Sequence, residues 1–437
     1  MDTDSARPLV LTNQVQASQP YYLELLRSLV AAGANGEEAV QQEIGKRLAL
    51  LGCSVETLRR EPNHYVLPFD FATEPPPVPP ERPSVVSKLT GAGDGRSILM
   101  FAHPDTEPIS NPESWQHDAF AGEIVDDRMY GWGIADDLAG VAAMICGLDA
   151  VVSSGLKPLG DVVICSTASK RRAQGIYAVL EAGYTADASI YLHPAESGDG
   201  LGDIKTASAG LLRFRITVTG KPPETHEPTH TPFYHKAVNP IDKAWVVYHA
   251  LNTLAEQRAQ TVKHPAFEEV GRATNLHISH IQAGEASKAS RVASSAVMTG
   301  SLSFPPGEDI SGVKQQVEAA ITEAAASDTW LSEHPPQLQW LMGTNGVEVP
   351  LDSPIYQTVR NAIHAVTGIT PQPQPLHSGS DIRAPILYSG IPTIGFGPLC
   401  GDLTQAGGTD EWVSVEDYMH MIEVVAMTIV NWCGTAP

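Results

Sequence analysis

The chain is predicted to be an α/β protein: a main domain built on a mixed sheet covered by helices, with a smaller α+β domain of ferredoxin-like layout inserted into it. Three observations predict this. At 437 residues the chain is too long for one ordinary core, so two domains are expected. Short, almost wholly apolar runs at 97–102, 162–167, 189–192 and 392–397 read as buried strands. Helical segments alternate with them, the signature of a sheet covered on both faces. From Gly210 the texture changes. The stretch LLRFRITVTG alternates apolar and polar residues, as a strand with one exposed face does.

Taken in order, residues 21–51 carry helical spacing (Leu23, Leu26, Leu29, Val30, then Val40, Ile44, Leu48, Leu50). Gly33 and Gly36 break it into two helices. The proline-rich run TEPPPVPPERP at 73–83 excludes helix and central strand, leaving a surface connection. A strand at 97–102 follows, then a helix of small apolar residues at 139–152 and the strands at 162–167 and 189–192. Beyond Gly210 the pattern is strand, helix (240–257), two alternating stretches (275–281 and 296–304) and helix (310–326). From Gln337 the buried-strand and helix pattern returns. The expected division is 1–209, an insert at 210–329, and 330–437. No internal repeat or long low-complexity segment is present.

Hydrophobic content of 42% and charged content of 18% describe a folded chain. A net charge of −22 argues against nucleic acid and anionic membranes as partners. Five scattered cysteines (Cys53, Cys146, Cys165, Cys400, Cys433) form no CxxC pair, so neither a disulfide framework nor a thiolate zinc site is indicated. Cys146 and Cys165 lie in apolar runs and read as buried thiols. The N-terminus lacks the basic start and apolar core of a signal peptide, and no apolar stretch reaches the roughly 20 residues that span a bilayer. A cytoplasmic protein is expected.

Chemistry concentrates in three segments: FAHPDTEP with His103, YGWGIADDLAGVAA with Asp136 and Asp137, and ADASIYLHPAE with His193. Each places a metal-ligand type at or just past the end of an apolar run, where sites form in such sheets. Two imidazoles and one carboxylate make a facial set for one divalent metal, with positions open for water and substrate. The bland readings are a buried structural His103, a helix-capping Asp136 and a turn histidine at His193.

His103-Pro104-Asp105 is followed by Trp115 and Asp118-Ala119-Phe120, then by Tyr130 to Asp136 in the pattern Tyr-Gly-x-Gly-x-x-Asp. SGSDIR (378–383), GIPTIGFGP (390–398) and TDEWVSVEDY (409–418) close the chain. In this order and spacing the chain resembles the aminoacylase, carboxypeptidase and succinyl-diaminopimelate desuccinylase family of co-catalytic dizinc hydrolases. The likeness is strongest over 97–145 and 375–420. The resemblance implies a catalytic domain split by a lid and dimerisation domain, at least a homodimer, and an Asp136 that bridges metals in the family. It also implies that Asp105 orients His103 through the other ring nitrogen.

The departures from the family are specific. Its Glu-Glu pair, general base and second-metal ligand, falls in ASKRRAQG (168–175), which holds no carboxylate in any register. Its final histidine ligand falls on Gly407. The third ligand of the first metal is His193, still followed by Pro194. One divalent transition metal per chain, Mn or Zn foremost, held by His103, Asp136 and His193 is therefore expected. The substrate-gripping Arg of the family falls on Ser303, and Arg291 and Arg383 are the cations nominated instead. His226 or His230 takes the place of the lid histidine. Asp137, Glu196 and His226 remain as bases, Asp137 reading rather as an ion-pair or cap residue and Glu196 as an exposed loop carboxylate. His377 and Ser380 are expected to line the pocket.

A single metal without the family's Glu suits an already activated electrophile better than a peptide bond. The branch that fits is 5-nitroanthranilate aminohydrolase, in which hydroxide from the metal replaces an aromatic amine. The nitro group para to the amine takes up the charge of the addition intermediate. The alternatives are an aminoacylase or dipeptidase whose missing ligands come from elsewhere, such as Glu196 and His377, and a non-catalytic relative with a degenerate site. Either enzyme reading implies a small-molecule substrate.

Overall fold

The computed structural model describes residues 3–60, 70–73, 82–104, 109, 112–168, 173–194, 197–375, 379–401 and 408–436. The chain divides into two compact units, one of 1–67, 77–208 and 348–437 and one of 68–76 and 209–347.

The larger unit is built on an eight-stranded mixed sheet in the order Ser54–Arg60, Arg82–Leu89, Val162–Ser166, Ile98–Ala102, Ala188–Tyr191, Thr393–Gly395, Asp203–Lys205, Gln372–Gln374. Val162–Ser166, Ile98–Ala102, Ala188–Tyr191 and Thr393–Gly395 are mutually parallel and central. Every residue of these four strands is buried. That is why they read as continuous apolar runs, since a parallel strand has helices over both faces. The outer strands Ser54–Arg60 and Arg82–Leu89 pair antiparallel. Helices Ala139–Ser153 and Val415–Cys433 pack together with Thr3–Gly33 in one core that includes Leu26, Val141, Ile145, Val425 and Ile429. Gly147 permits the close approach, because a Cβ there would stand 2.4 Å from Val425 Cγ1. The first helix begins at Thr3, well before the periodic stretch read from the sequence, and carries Pro8 and Pro20 within it. A three-stranded sheet of Glu123–Val125, Arg128–Tyr130 and Trp412–Ser414 joins the C-terminal block to the segment before Asp136.

The smaller unit is one antiparallel sheet in the order Asn275–Ala283, Ser295–Phe304, Gly210–Thr219, Gln337–Thr344, Phe71–Ala72, with helices Pro240–Thr261 and Ile310–Ala326. The strict alternation of burial along Gly210–Thr219 and Ser295–Phe304 matches a sheet with one covered face. Gln337–Thr344 corrects the expected boundary at residue 330. It pairs with Gly210–Thr219, and Trp340 packs edge-on to Phe214 at 5.8 Å between ring centroids. Its burial is mixed rather than continuous, as for the other strands of this sheet. Phe71–Ala72 adds a further strand just before the proline-rich run. Among the described residues, no helix is long and apolar enough to cross a membrane.

Candidate metal centre

Three chain segments converge at the carboxyl ends of the central strands. His103 directly follows Ile98–Ala102. Leu192 N donates to Phe101 O at 2.9 Å, carrying the ladder past Ala188–Tyr191 so that His193 leaves the sheet beside His103. Asp136 comes from the turn before helix Ala139–Ser153. Gly133 opens that turn at φ +73°, the left-handed region that glycine enters without the steric cost of a Cβ. In the GIPTIGFGP run, a Cβ at Gly397 would stand 2.4 Å from Pro194 N, so glycine there makes room for the His193–Pro194 turn.

His103 Nε2 and His193 Nε2 stand 3.2 and 3.1 Å from the same oxygen, Asp136 Oδ1. One ligand atom from each residue lies within 4.8 Å of the others. Two donors each about 2.1 Å from one ion at tetrahedral or octahedral angles are roughly 3.0–3.4 Å apart. The donor set and spacing therefore fit a divalent transition metal. Both imidazoles are buried, whereas the Asp136 side chain keeps 20% exposure, leaving the centre open on the carboxylate side. Burial alone would raise the Asp136 carboxyl, but the two imidazoles bonded to it hold it well below the usual range. Burial, with the Lys205 ammonium nearby, pushes His193 down to about 4. At neutral pH the set is a carboxylate and an uncharged His193, the form that binds metal.

The surroundings fix these groups. Tyr191 stacks on Phe101 at 4.8 Å and on the His193 ring at 5.0 Å. Pro194 O lies 2.8 Å from His193 Nδ1, and Lys205 Nζ lies 2.9 Å from the same nitrogen. Lys205 is fully buried, and Gly395 opposite it leaves room, since a Cβ there would come within 2.9 Å of Lys205 Cε. Glu411, also buried, accepts from Gly133 N at 3.1 Å, Ala135 N at 2.8 Å and Asp136 N at 3.1 Å. Burial and the nearby Asp136 charge push its carboxyl up to about 8, against the three amides that favour ionisation. Asp137 was expected to pair or cap. It is instead wholly buried, and burial raises its carboxyl well above the usual range.

Of the residues singled out in the sequence, His103, Asp136 and His193 are brought together. Asp105, Glu196 and His377 lie outside the described residues, as do 169–172 and Gly407. His226 is an exposed loop residue of the insert. His230 Nδ1 already accepts from Val292 N at 3.1 Å. Arg291, exposed in the insert, donates through Nε to Pro228 O at 3.1 Å and borders a cavity of about 330 Å³ with Lys288 and Asn239. Ser380, expected to line the pocket, and Arg383, nominated as a substrate-gripping cation, are both buried in the larger unit, with the Ser380 amide donating to Ser208 Oγ at 3.1 Å. Lys205 and Glu411 were not assigned a role from sequence. Glu411 lies in the TDEW block, but nothing in that block says where its carboxylate points.

Residues 99–431 match the profile of peptidase family M20/M25/M40, more than half of the chain. The chain belongs to that family. Among solved structures the chain is similar to human carnosine dipeptidase 1, at 13% identity over 97% of this chain and 98% of that one with a TM-score of 0.66. It is also similar to a dinuclear metal-binding peptidase of family M20 from Bacillus subtilis, at 17% identity over 96% and 100% with a TM-score of 0.64. These likenesses establish the fold. A curated relative from Halalkalibacterium halodurans, N-formyl-4-amino-5-aminomethyl-2-methylpyrimidine deformylase, is 24% identical over 97% of both chains. The enzyme of the same description from Bacillus subtilis is 23% identical over 85% of this chain and 88% of its own.

Proposed function

We propose that this family member is a mononuclear metal hydrolase that replaces the amine of an activated aromatic ring with hydroxide, 5-nitroanthranilate being the leading substrate. The observation that carries the reading is the donor set itself: two imidazoles on one carboxylate oxygen; the sequence at 168–175, in addition, holds no carboxylate that could bind a second ion. A divalent ion there, Mn or Zn, supplies Lewis acidity and lowers the pKa of water. Asp136 and the neutral His193 hold it. His103 completes the set, with Asp105 as its orienting partner. The aromatic C–N bond breaks, a C–O bond forms from water, and the leaving amine takes a proton to depart as ammonia. Glu196 and His226 are the proposed bases. Arg291, His377, Ser380 and Arg383 are the proposed contacts to the carboxylate and ring. On this reading the nitro group para to the amine accepts the charge of the addition intermediate.

A second reading, hydrolysis of a small N-acyl or N-formyl amine, is favoured by the two deformylase relatives. The two readings separate in one assay. Protein loaded with Mn or Zn is offered 5-nitroanthranilate, an N-formyl aminomethylpyrimidine and an N-acyl amino acid, while ammonia, formate and metal content are measured. One metal per chain with ammonia from 5-nitroanthranilate supports the aminohydrolase. Two metals per chain with formate or acyl release, and no ammonia, overturns it. We further propose that the chain forms at least a homodimer through the insert; a monomer by light scattering at micromolar concentration would contradict this.

A further inference from the structure

The geometry assigns Glu411 as the residue that positions Asp136: its carboxylate ties the Gly133–Asp136 turn into the orientation that presents Asp136 Oδ1 to His103 and His193. This inference rests on the metal reading above for its consequence, but not for its geometry. Glu411 enters the turn from a fixed base. Trp412 pairs with Tyr130, and Gly131 N donates to Glu411 O at 3.0 Å, so its backbone continues the small antiparallel sheet. From there the side chain spans the turn, with Oε2 on Gly133 N and Oε1 on Ala135 N and Asp136 N. The last of these amides belongs to the ligand itself, so a shift of the carboxylate moves the Asp136 backbone directly. The neighbouring Asp410 does the same for the preceding segment, accepting from Gln116 N at 2.9 Å and His117 N at 3.1 Å. Two adjacent acidic residues near the C-terminus thus organise loops nearly 300 positions earlier in the chain.

The demand is for two acceptor oxygens. Three amide donors converge on two oxygens, two of these bonds buried and the third half-buried, where an unmet N–H is costly. Glutamine in the same place keeps the shape but turns one acceptor into a donor, facing either Gly133 N or the Ala135 and Asp136 pair. Aspartate keeps both carboxyl oxygens but is one methylene short of the turn. Both changes leave the three ligand side chains intact, so any effect on metal binding comes through position. Partners that orient metal ligands typically change affinity by about 10–100-fold when removed.

The test uses the full-length protein with Mn²⁺ alone as the probe. Wild type, Glu411→Gln and Glu411→Asp are compared for Mn²⁺ affinity by electron paramagnetic resonance titration. Metal-free hydrogen exchange of the 131–138 peptide is read against the 98–102 strand. Asp149→Asn, which weakens the half-buried Tyr22–Asp149 hydrogen bond elsewhere in the same unit, is the control for general destabilisation. The expected result is an affinity loss of about tenfold or more in Glu411→Gln, faster exchange confined to 131–138, and an affinity within twofold of wild type in the control. Wild-type affinity in Glu411→Gln, or faster exchange spread equally over both segments, overturns the assignment. If neither Glu411 variant folds, metal-free wild type decides: slow exchange over 131–138 supports it, and exchange at the rate of an open loop refutes it. If wild type binds no Mn²⁺, the proposed function fails while the exchange pattern still judges Glu411.

Discussion

Gly140 lies so close to the end of the neighbouring strand that a Cβ added to it would stand 1.9 Å from Leu192 O. The same atom would be 2.5 Å from Asp137 Oδ1. The helix that follows Asp136 is thereby pressed against the backbone that delivers His193. Two of the three ligands are spaced by this contact. Gly140→Ala is expected to destabilise the protein by about 1–3 kcal/mol, the usual result of overpacking a core. It should also weaken Mn²⁺ binding, because the helix must move from His193 to admit the methyl. Chemical denaturation and metal titration check the two effects.

Removal of a ligand acts on the ion before the chemistry. Asp136→Asn and His193→Ala are each expected to lower bound metal from about one ion per chain to about a tenth or less after dialysis. Elemental analysis reads this directly. A chelator should abolish turnover of the wild type, and added Mn²⁺ should restore it. The folded baseline in circular dichroism should persist in both variants, since the core beneath the centre is apolar and independent of the ion.

Arg258 performs a separate, structural task in the smaller unit. It is 3% exposed, and its guanidinium contacts Glu308, Gln316 and Thr274. Arg258→Ala leaves those partners without a donor and should destabilise this unit by about 2–3 kcal/mol, toward the low end for a buried pair because Glu308 is 23% exposed. Arg258→Lys should recover only part of this, since one ammonium cannot reproduce the planar fork. Urea unfolding followed by fluorescence of Trp330 and Trp340, both in this unit, reports it.

The thiols give a pH dependence with a definite sign. Burial raises Cys53 to about 11. An unfolded thiol ionises near pH 8.5. The folded state therefore holds this proton where the unfolded state releases it. The contribution to stability is complete below about pH 8.5 and is lost as pH rises towards 11. Cys146 and Cys165 are raised further by burial and act in the same direction. At pH 8 iodoacetamide should label the native protein slowly and the urea-unfolded protein at all five cysteines, with mass spectrometry as the readout. Rapid native labelling of Cys53 at pH 8 would contradict the burial argument.

The amino-acid sequence by itself determined the class of fold and singled out His103, Asp136 and His193, which the structure brings together. Ile98–Ala102, Val162–Ser166 and Ala188–Tyr191 are buried on both faces, so their apolar runs announce them without tertiary information. His103 and His193 are legible because each follows such a run. The edge of the insert was not legible, because Gln337–Thr344 is only partly covered and its partner lies more than a hundred residues earlier. Short strands such as Asp203–Lys205 and Trp412–Ser414 carry too few residues for any period to show. Tertiary structure alone decided that Lys205 meets His193, that Glu411 holds the Asp136 turn, and that Arg383 is buried. The physical reason is the same in each case. Periodicity records which face of an element is covered, whereas a polar side chain's partner depends on where a distant loop returns.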